Sequence, residues 1–304
     1  MKKLFLFIVT LILVFFFVGC KDKVEYTLSL EAEATTIKVG EKTLIYADTN
    51  VLNAQFNWKS SDDKIATVND AGLVTGVSVG TVTITCTVGE LSKSIEITVI
   101  EKDMTSTEAK TLLTNTLNAY LNSNSGSFKV TVDDMVSEFV YNYTDAGLIE
   151  SYMAKIYIKN QTNSERHVYV KEGYAYNLVN GTKTKKALTE QEIQTIFAEY
   201  SQEKFLNDAT KFYNEEAFYN ALEFVSRDKG LVTFKLNLSK YSGEVFETVG
   251  VNEIKLMLTL QDEKLVKVEV EKTVGLTKNV LTVEYFGTTK QTINYPTDLD
   301  SYGE

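Results

Sequence analysis

The sequence predicts two domains in tandem: an all-β sandwich, then an α+β domain whose antiparallel sheet packs on helices. Three observations predict it. Over residues 24–100, short runs of alternating apolar and polar residues recur at close spacing with turn-forming residues between them, the pattern of a β-sandwich. At Thr105-Ser106-Thr107-Glu108 a capping box opens a stretch with apolar residues at helical spacing. Farther on, Val266, Val268 and Val270 alternate with Lys267, Glu269 and Glu271, so one sheet face is buried and the other meets water.

The chain begins with Met1-Lys2-Lys3, a run from Leu4 to Val18 that is apolar except for Thr10, and then Gly19-Cys20. A charged start, an apolar middle and a small residue before a cut site make a secretory signal. The run is short for a membrane-spanning helix, which needs roughly 20 residues. Phe17-Val18-Gly19-Cys20 resembles a bacterial lipobox, although Phe17 and Val18 depart from the commonest residues at their positions. The resemblance implies that residues 1–19 are removed, that Cys20 is acylated, and that residues 20–23 are a lipidated tether. It places the protein on the extracytoplasmic face of the cell membrane. An uncleaved anchor helix and a plain secreted protein are the alternatives; all three export the rest of the chain. Acylation suffices as an anchor, because each buried methylene contributes about 0.8 kcal/mol and several chains on one cysteine make release slow.

Removing the two lysines of residues 1–19 takes the formal charge of the 304-residue chain from −10 to −12. Such an acidic body excludes sequence-independent nucleic-acid binding, which needs clustered Lys and Arg. It also opposes docking on anionic lipid by surface charge. The chain has two cysteines, and acylation of Cys20 leaves Cys86 without a partner. No disulfide framework is then expected, and each domain must rest on its own core.

Within 24–100 the expected strands are 24–30, 35–39, 44–47, 55–58, 65–68, 72–76, 81–88 and 94–100. Trp58-Lys59-Ser60-Ser61-Asp62-Asp63 leads into Ile65-Ala66-Thr67-Val68, then Gly72-Leu73-Val74-Thr75-Gly76-Val77 and Gly80-Thr81-Val82-Thr83-Ile84. These segments closely resemble the bacterial Ig-like domain, group 2. The resemblance implies an Ig-like sandwich with Trp58 at its centre, acting as a module that spaces, presents or adheres and does not catalyse. Gly76-Val77-Ser78-Val79-Gly80 fits G-x-S-x-G, but that motif needs a helix after it, and here a β-run comes next. Cys86 alternates with Val82, Ile84 and Val88 and reads as a small core residue. Asp62, Asp63 and Asp70 suit turns better than a calcium site.

After a linker at 101–104, the second domain should span 105–304. A helix of about four turns is expected from Thr105, ending at Asn122 to Gly126. Strands are expected next at 128–132, 138–143, 152–159, 166–171 and 175–179, with turns at Asp145-Ala146-Gly147, Lys171-Glu172-Gly173 and Asn180-Gly181, the last a hairpin signal. A helical insert is expected over 189–225, opened by the capping box Thr189 to Glu192 and ending with Phe218, Leu222 and Val225. Strands return at 232–238, 254–260, 265–271, 280–286 and 291–295, with Gly287 to Lys290 as a hairpin. This order is similar to the LolA-like lipid-carrier lipoproteins. That resemblance implies a strongly curved antiparallel sheet over helices with an apolar cavity between, and it carries over no functional residue.

Phe197, Phe205, Phe212 and Phe218 are read first as core, with a lipid-pocket lining as the alternative. His167 stands alone, without a nucleophile or second histidine near it in sequence, and reads as structural. Asp133-Asp134 and Asp298-x-Asp300 read as solvated turns. No catalytic, cofactor-binding or metal-binding residue is expected; the one site residue is Cys20, the lipid attachment point. The expected function is non-catalytic binding at the cell surface, with a lipid or other apolar ligand in the second domain. The alternative is adhesion or a structural role through a surface protein or polysaccharide.

Overall fold

The computed structural model describes residues 24–144, 149–189, 191–192, 206 and 209–303. Cys20 with the signal segment, the expected turn at 145–147, and Phe197 and Phe205 lie outside the described residues. The chain divides into two compact units, Met1–Lys102 and Asp103–Glu304.

The first unit is an Ig-like sandwich. Its strands are β1 (Leu28–Ala32), β2 (Thr36–Lys38), β3 (Lys42–Thr49), β4 (Asn57–Ser60), β5 (Ala66–Val68), β6 (Leu73–Gly76), β7 (Gly80–Val88) and β8 (Leu91–Ile100). They form two four-stranded sheets, ordered β1-β3-β6-β5 and β2-β8-β7-β4. Ile37, Ile45, Val74, Val82, Ile84 and Ile97 fill the space between them. Trp58 packs against this core as a partly buried ring instead of filling its centre. Gly72 explains the ring's position. Its φ is +78°, and a Cβ there would come 2.5 Å from the Ile45 carbonyl oxygen and 2.9 Å from Trp58 Cζ2.

The second unit opens with helix α1 (Ser106–Leu121), capped as expected: Thr105 Oγ1 accepts from the Glu108 amide, and the Glu108 carboxylate accepts from the Thr105 amide. The first meander is β9 (Ser125–Val132), β10 (Met135–Tyr143), β11 (Ile149–Ile158), β12 (Arg166–Lys171), β13 (Tyr174–Val179) and β14 (Thr182–Ala187). A 3-10 turn at Lys211–Asn214 and a short helix α2 (Glu216–Ala221) lead into β15 (Leu222–Asp228), β16 (Leu231–Leu236), β17 (Glu253–Gln261), β18 (Lys264–Val274) and β19 (Thr277–Gly287). All eleven strands belong to one antiparallel sheet, ordered β14-β13-β12-β11-β10-β9-β19-β18-β17-β16-β15. Strand β9 pairs with β10 on one side and with β19 on the other, and so joins the two meanders.

Three local expectations differ from the structure. Leu222 and Val225 lie in β15, not in a helix, because Leu222 and Phe224 pair with Leu236 and Phe234 of β16. Gly287 to Lys290 is not a hairpin, and 291–295 is not a strand. Both neighbours of β19 are already taken, by β18 and β9, so no sheet edge lies beside the chain that leaves it. The chain instead crosses one face of the sheet as an irregular strap, burying Ile293 and Tyr302 against Met153, Tyr169 and Tyr176. It reaches the edge strand β14, where Gly303 bridges Thr184 in parallel. Strand β14 is an addition to the expected set; Asn180 (φ 49°) and Gly181 (φ 85°) turn the Lys-rich segment back onto β13.

Candidate functional site: the two faces of the second sheet

Period-two alternation gives each strand an inner and an outer row. On the inner face, Phe128, Phe139, Tyr141, Tyr152, Phe234, Leu256 and Leu258 meet Leu113, Leu117 and Tyr120 of α1 and Phe212, Tyr213 and Phe218 of the 3-10 turn and α2. The rings pack on one another. Phe128 stacks on Phe139 at 4.8 Å, and Phe212 meets Phe218 edge-on at 5.1 Å. Phe212 and Phe218 are thus core residues, as their sequence pattern suggests. Several buried phenols are hydrogen-bonded: Tyr213 and Tyr285 share a hydroxyl–hydroxyl bond of 3.0 Å, Tyr141 donates to the Tyr120 carbonyl, and Tyr219 donates to the Tyr213 carbonyl. Burial pushes the Tyr213 phenol well up, so these groups serve as hydrogen-bond donors and not as acids.

One end of this interior is covered by the loop 237–252, between β16 and β17. Phe246 in that loop lies 5.7 Å from Phe212 and 5.5 Å from Phe218, and Tyr241 lies 6.3 Å from Phe246. Glu215 holds the loop. Its carboxylate accepts from the amides of Glu244 at 2.7 Å and Val245 at 3.1 Å and from the Tyr241 hydroxyl at 2.6 Å. The sequence gives no signal of this arrangement, because nothing local ties Glu215 to residues near 245.

The outer face is different in kind. The strand registers place His167, Lys155, Glu138, Lys129, Glu284 and Lys267 opposite one another in turn, across β12, β11, β10, β9, β19 and β18. Charge alternates along this row from Lys155 to Lys267. Lys129, Glu284 and Lys267 of this row line an open cleft of about 230 Å³, with Thr131, Tyr157 and Lys159 also among its walls. Lys129 pairs with Glu284 at 2.6 Å, Lys267 with Glu269 at 2.8 Å, and the Tyr157 hydroxyl donates to Glu138 at 3.0 Å. Such half-exposed pairs contribute little stability, roughly 0–1 kcal/mol each. With three lysines and two glutamates in its lining, the cleft is polar and suited to reversible polar contact.

His167 stands at the end of the charged row. Its Nε2 is 3.5 Å from Glu165 and its Nδ1 is 3.4 Å from the Tyr169 hydroxyl. Burial and the Lys155 ammonium lower its pKa, so the neutral ring is favoured. In the first unit, the Ser78 hydroxyl donates to the Lys64 carbonyl, so it serves a turn. Cys86 is buried, and burial pushes its thiol up. Asp62 accepts from the Lys64 amide at 2.9 Å, as a turn residue does. Asp133 likewise accepts from the Val280 amide. Among the described residues no group of three His, Cys, Asp or Glu side chains could hold a metal ion, and no helix is long and apolar enough to cross a membrane.

Comparison with known proteins bears on the two units unequally. A 3-O-alpha-D-galactosyl-alpha-L-arabinofuranosidase of Bifidobacterium longum subsp. longum is 44% identical over 82 residues, which is 26% of this chain and 6% of that protein. The chain thus spans only a small fraction of the curated relative it matches. Among solved structures, the chain is similar to LprF of Mycobacterium bovis (13% identity, 62% of this chain and 97% of that one, TM-score 0.30). It is also similar to the lipoprotein LppX of Mycobacterium tuberculosis (8% identity, 60% and 97%, TM-score 0.29). An intimin mutant of EHEC O157:H7 is a further match (15% identity, 38% and 87%, TM-score 0.24). The family model for the bacterial Ig-like domain (group 2) matches residues 25–99. The eight-stranded sandwich and that match together identify residues 25–99 as a bacterial Ig-like domain of group 2.

Proposed function

We propose that this protein is a bacterial lipoprotein tied to the extracytoplasmic face of the cell membrane through acylated Cys20. In this reading the Ig-like domain carries a second domain that binds an amphiphilic ligand without turning it over. The observation that supports it best is the division of labour between the sheet's two faces. The inner face offers stacked rings under an irregular loop, and the outer face offers a partly exposed row of alternating charges. An apolar group suits the ring-lined face, and a polar partner suits the charged row on the opposite face. His167, the chain's one histidine, contacts a carboxylate and a phenol, not a nucleophile, which supports binding over catalysis.

The test is native mass spectrometry of the acylated protein extracted in mild detergent. Co-purification of a lipid with the second domain supports the reading; a chain carrying only its own acyl groups opposes it. A second reading, adhesion to a surface protein or polysaccharide, is favoured by the Ig-like module at residues 25–99. It predicts cell or glycan binding that survives loss of the second domain's ligand.

A further inference from the structure

The cleft on the outer face follows from the strand register. Beside the charged row runs a second row, in which Tyr157, Val136, Thr131, Thr282 and Glu269 stand opposite one another in turn across β11, β10, β9, β19 and β18. The three middle side chains are short and the two ends are long. Lys129 and Glu284 of the charged row stand tall alongside them. Short residues among long ones leave a trough of about 230 Å³, smaller than the roughly 300–1,000 Å³ of a drug-sized pocket. Two observations mark it as more than a gap. Thr131 lines the trough and is only 8% exposed, yet its hydroxyl has no hydrogen-bond partner among the described residues. Buried hydroxyls are normally bonded. The second observation is charge. Lys129 pairs with Glu284 and Lys267 with Glu269, which leaves the Lys159 ammonium as the surplus charge of the lining. The Lys159 amide donates to the Asp134 carbonyl at 2.8 Å, so the base of that side chain is fixed beside the trough.

We propose that this trough binds a sugar acid, one uronate ring that is either free or part of a polysaccharide. A sugar hydroxyl both donates and accepts, and each ion pair of the lining sets an ammonium donor beside a carboxylate acceptor. The Thr131 and Thr282 hydroxyls offer the same pairing from the floor. The ligand's one carboxylate meets the one surplus ammonium, Lys159, in a charge-assisted hydrogen bond. Glu138, next to Lys129 in the charged row, already accepts from the Tyr157 hydroxyl. An uncharged sugar leaves Lys159 unmatched, and a doubly charged anion brings a second negative charge against Glu269 and Glu284. The inference rests on the reading of the second domain as a binding domain and names the polar partner of its outer face. It does not depend on a lipid in the interior, which lies on the other side of the sheet.

The test titrates full-length acylated protein in detergent micelles with sodium glucuronate, glucose and polygalacturonate, followed by saturation-transfer NMR. Wild type should bind glucuronate about tenfold more tightly than glucose, the difference expected for one hydrogen bond to a charged group. Lys159→Gln should abolish that preference and leave glucose binding unchanged. Thr131→Val, which keeps the branched shape of the side chain, should weaken both sugars about fivefold through loss of the floor hydroxyl. Lys93→Gln, on the Ig-like unit, makes the same change in net charge and should alter nothing. Polygalacturonate binding that responds to Lys159→Gln and Thr131→Val, with or without binding of the free acid, supports the site within a polymer. Equal affinity for glucuronate and glucose, binding indifferent to both variants, or no binding of any of the three overturns the site. Lipid co-purification is a separate readout that neither variant should change, so loss of the sugar site leaves the amphiphilic-ligand reading standing, and absence of lipid leaves the sugar site standing.

Discussion

Gly72 shows how a single residue sets a packing arrangement. Its positive φ and the Trp58 ring against its Cα leave no room for a side chain. Gly72→Ala should destabilise the Ig-like unit by about 2–3 kcal/mol through backbone strain and displacement of the ring. Thermal unfolding monitored by Trp58 fluorescence should show a lower midpoint for that unit alone. His167 supplies the pH-sensitive residue. Its pKa is lowered in the folded state, so the unfolded chain takes up the proton first as pH falls. Its contribution is full above the unfolded pKa near about 6.5 and is lost as pH falls through the depressed folded value. The groups that set the balance are Lys155, Glu165 and Glu138. Urea midpoints at pH 7.5 and about 5.5 should differ more for wild type than for His167→Gln, and equal differences would discount the histidine. The Gly72 turn is legible in the sequence, because glycine beside a strand is a turn signal wherever it stands. The surroundings of His167 are not: Lys155 and Glu138 reach it only through strand pairing.

Among the elements, legibility depends on how local the cause is. The capping box at Thr105 and the Asn180-Gly181 turn are written within a few residues, and both appear in the structure as expected. Strand β15 reads as helix in the sequence because Phe218, Leu222 and Val225 fit a helical period, while pairing with β16 decides the outcome. The C-terminal strap reads as a strand for a related reason. Residues 291–295 alternate like one, but no sheet edge is left beside them. The strap instead closes the outer face over β12 and β13. Tyr302, 6% exposed, packs 5.8 Å from Tyr176 and lies under the Lys183 ammonium at 5.6 Å. Lys183 also pairs with Asp298 of the strap. Tyr302→Ala should cost about 3 kcal/mol, the range for removing a large buried ring, and should expose Met153, Tyr169 and Tyr176. A drop in the second unit's unfolding midpoint, together with new binding of an apolar dye, would bear this out; an unchanged midpoint would show that the strap adds no stability.

At the scale of the whole molecule, the sequence announces two bodies and their classes, an Ig-like sandwich and an α+β unit with a large antiparallel sheet. It does not announce that one eleven-stranded sheet brings together an aromatic interior and a row of alternating charges. Those features arise where β9 joins β19, a contact between the beginning and the end of the domain. The functional account depends on where these bodies are held, and so on Cys20. The most direct measurement is mass spectrometry of the N-terminal peptide from protein recovered in the membrane fraction, beside a Cys20→Ala variant. The account predicts a wild-type peptide that begins at Cys20 and carries the mass of acyl chains, and a variant that stays uncut. A wild-type chain that begins at Met1, or at an unmodified cysteine, would contradict it.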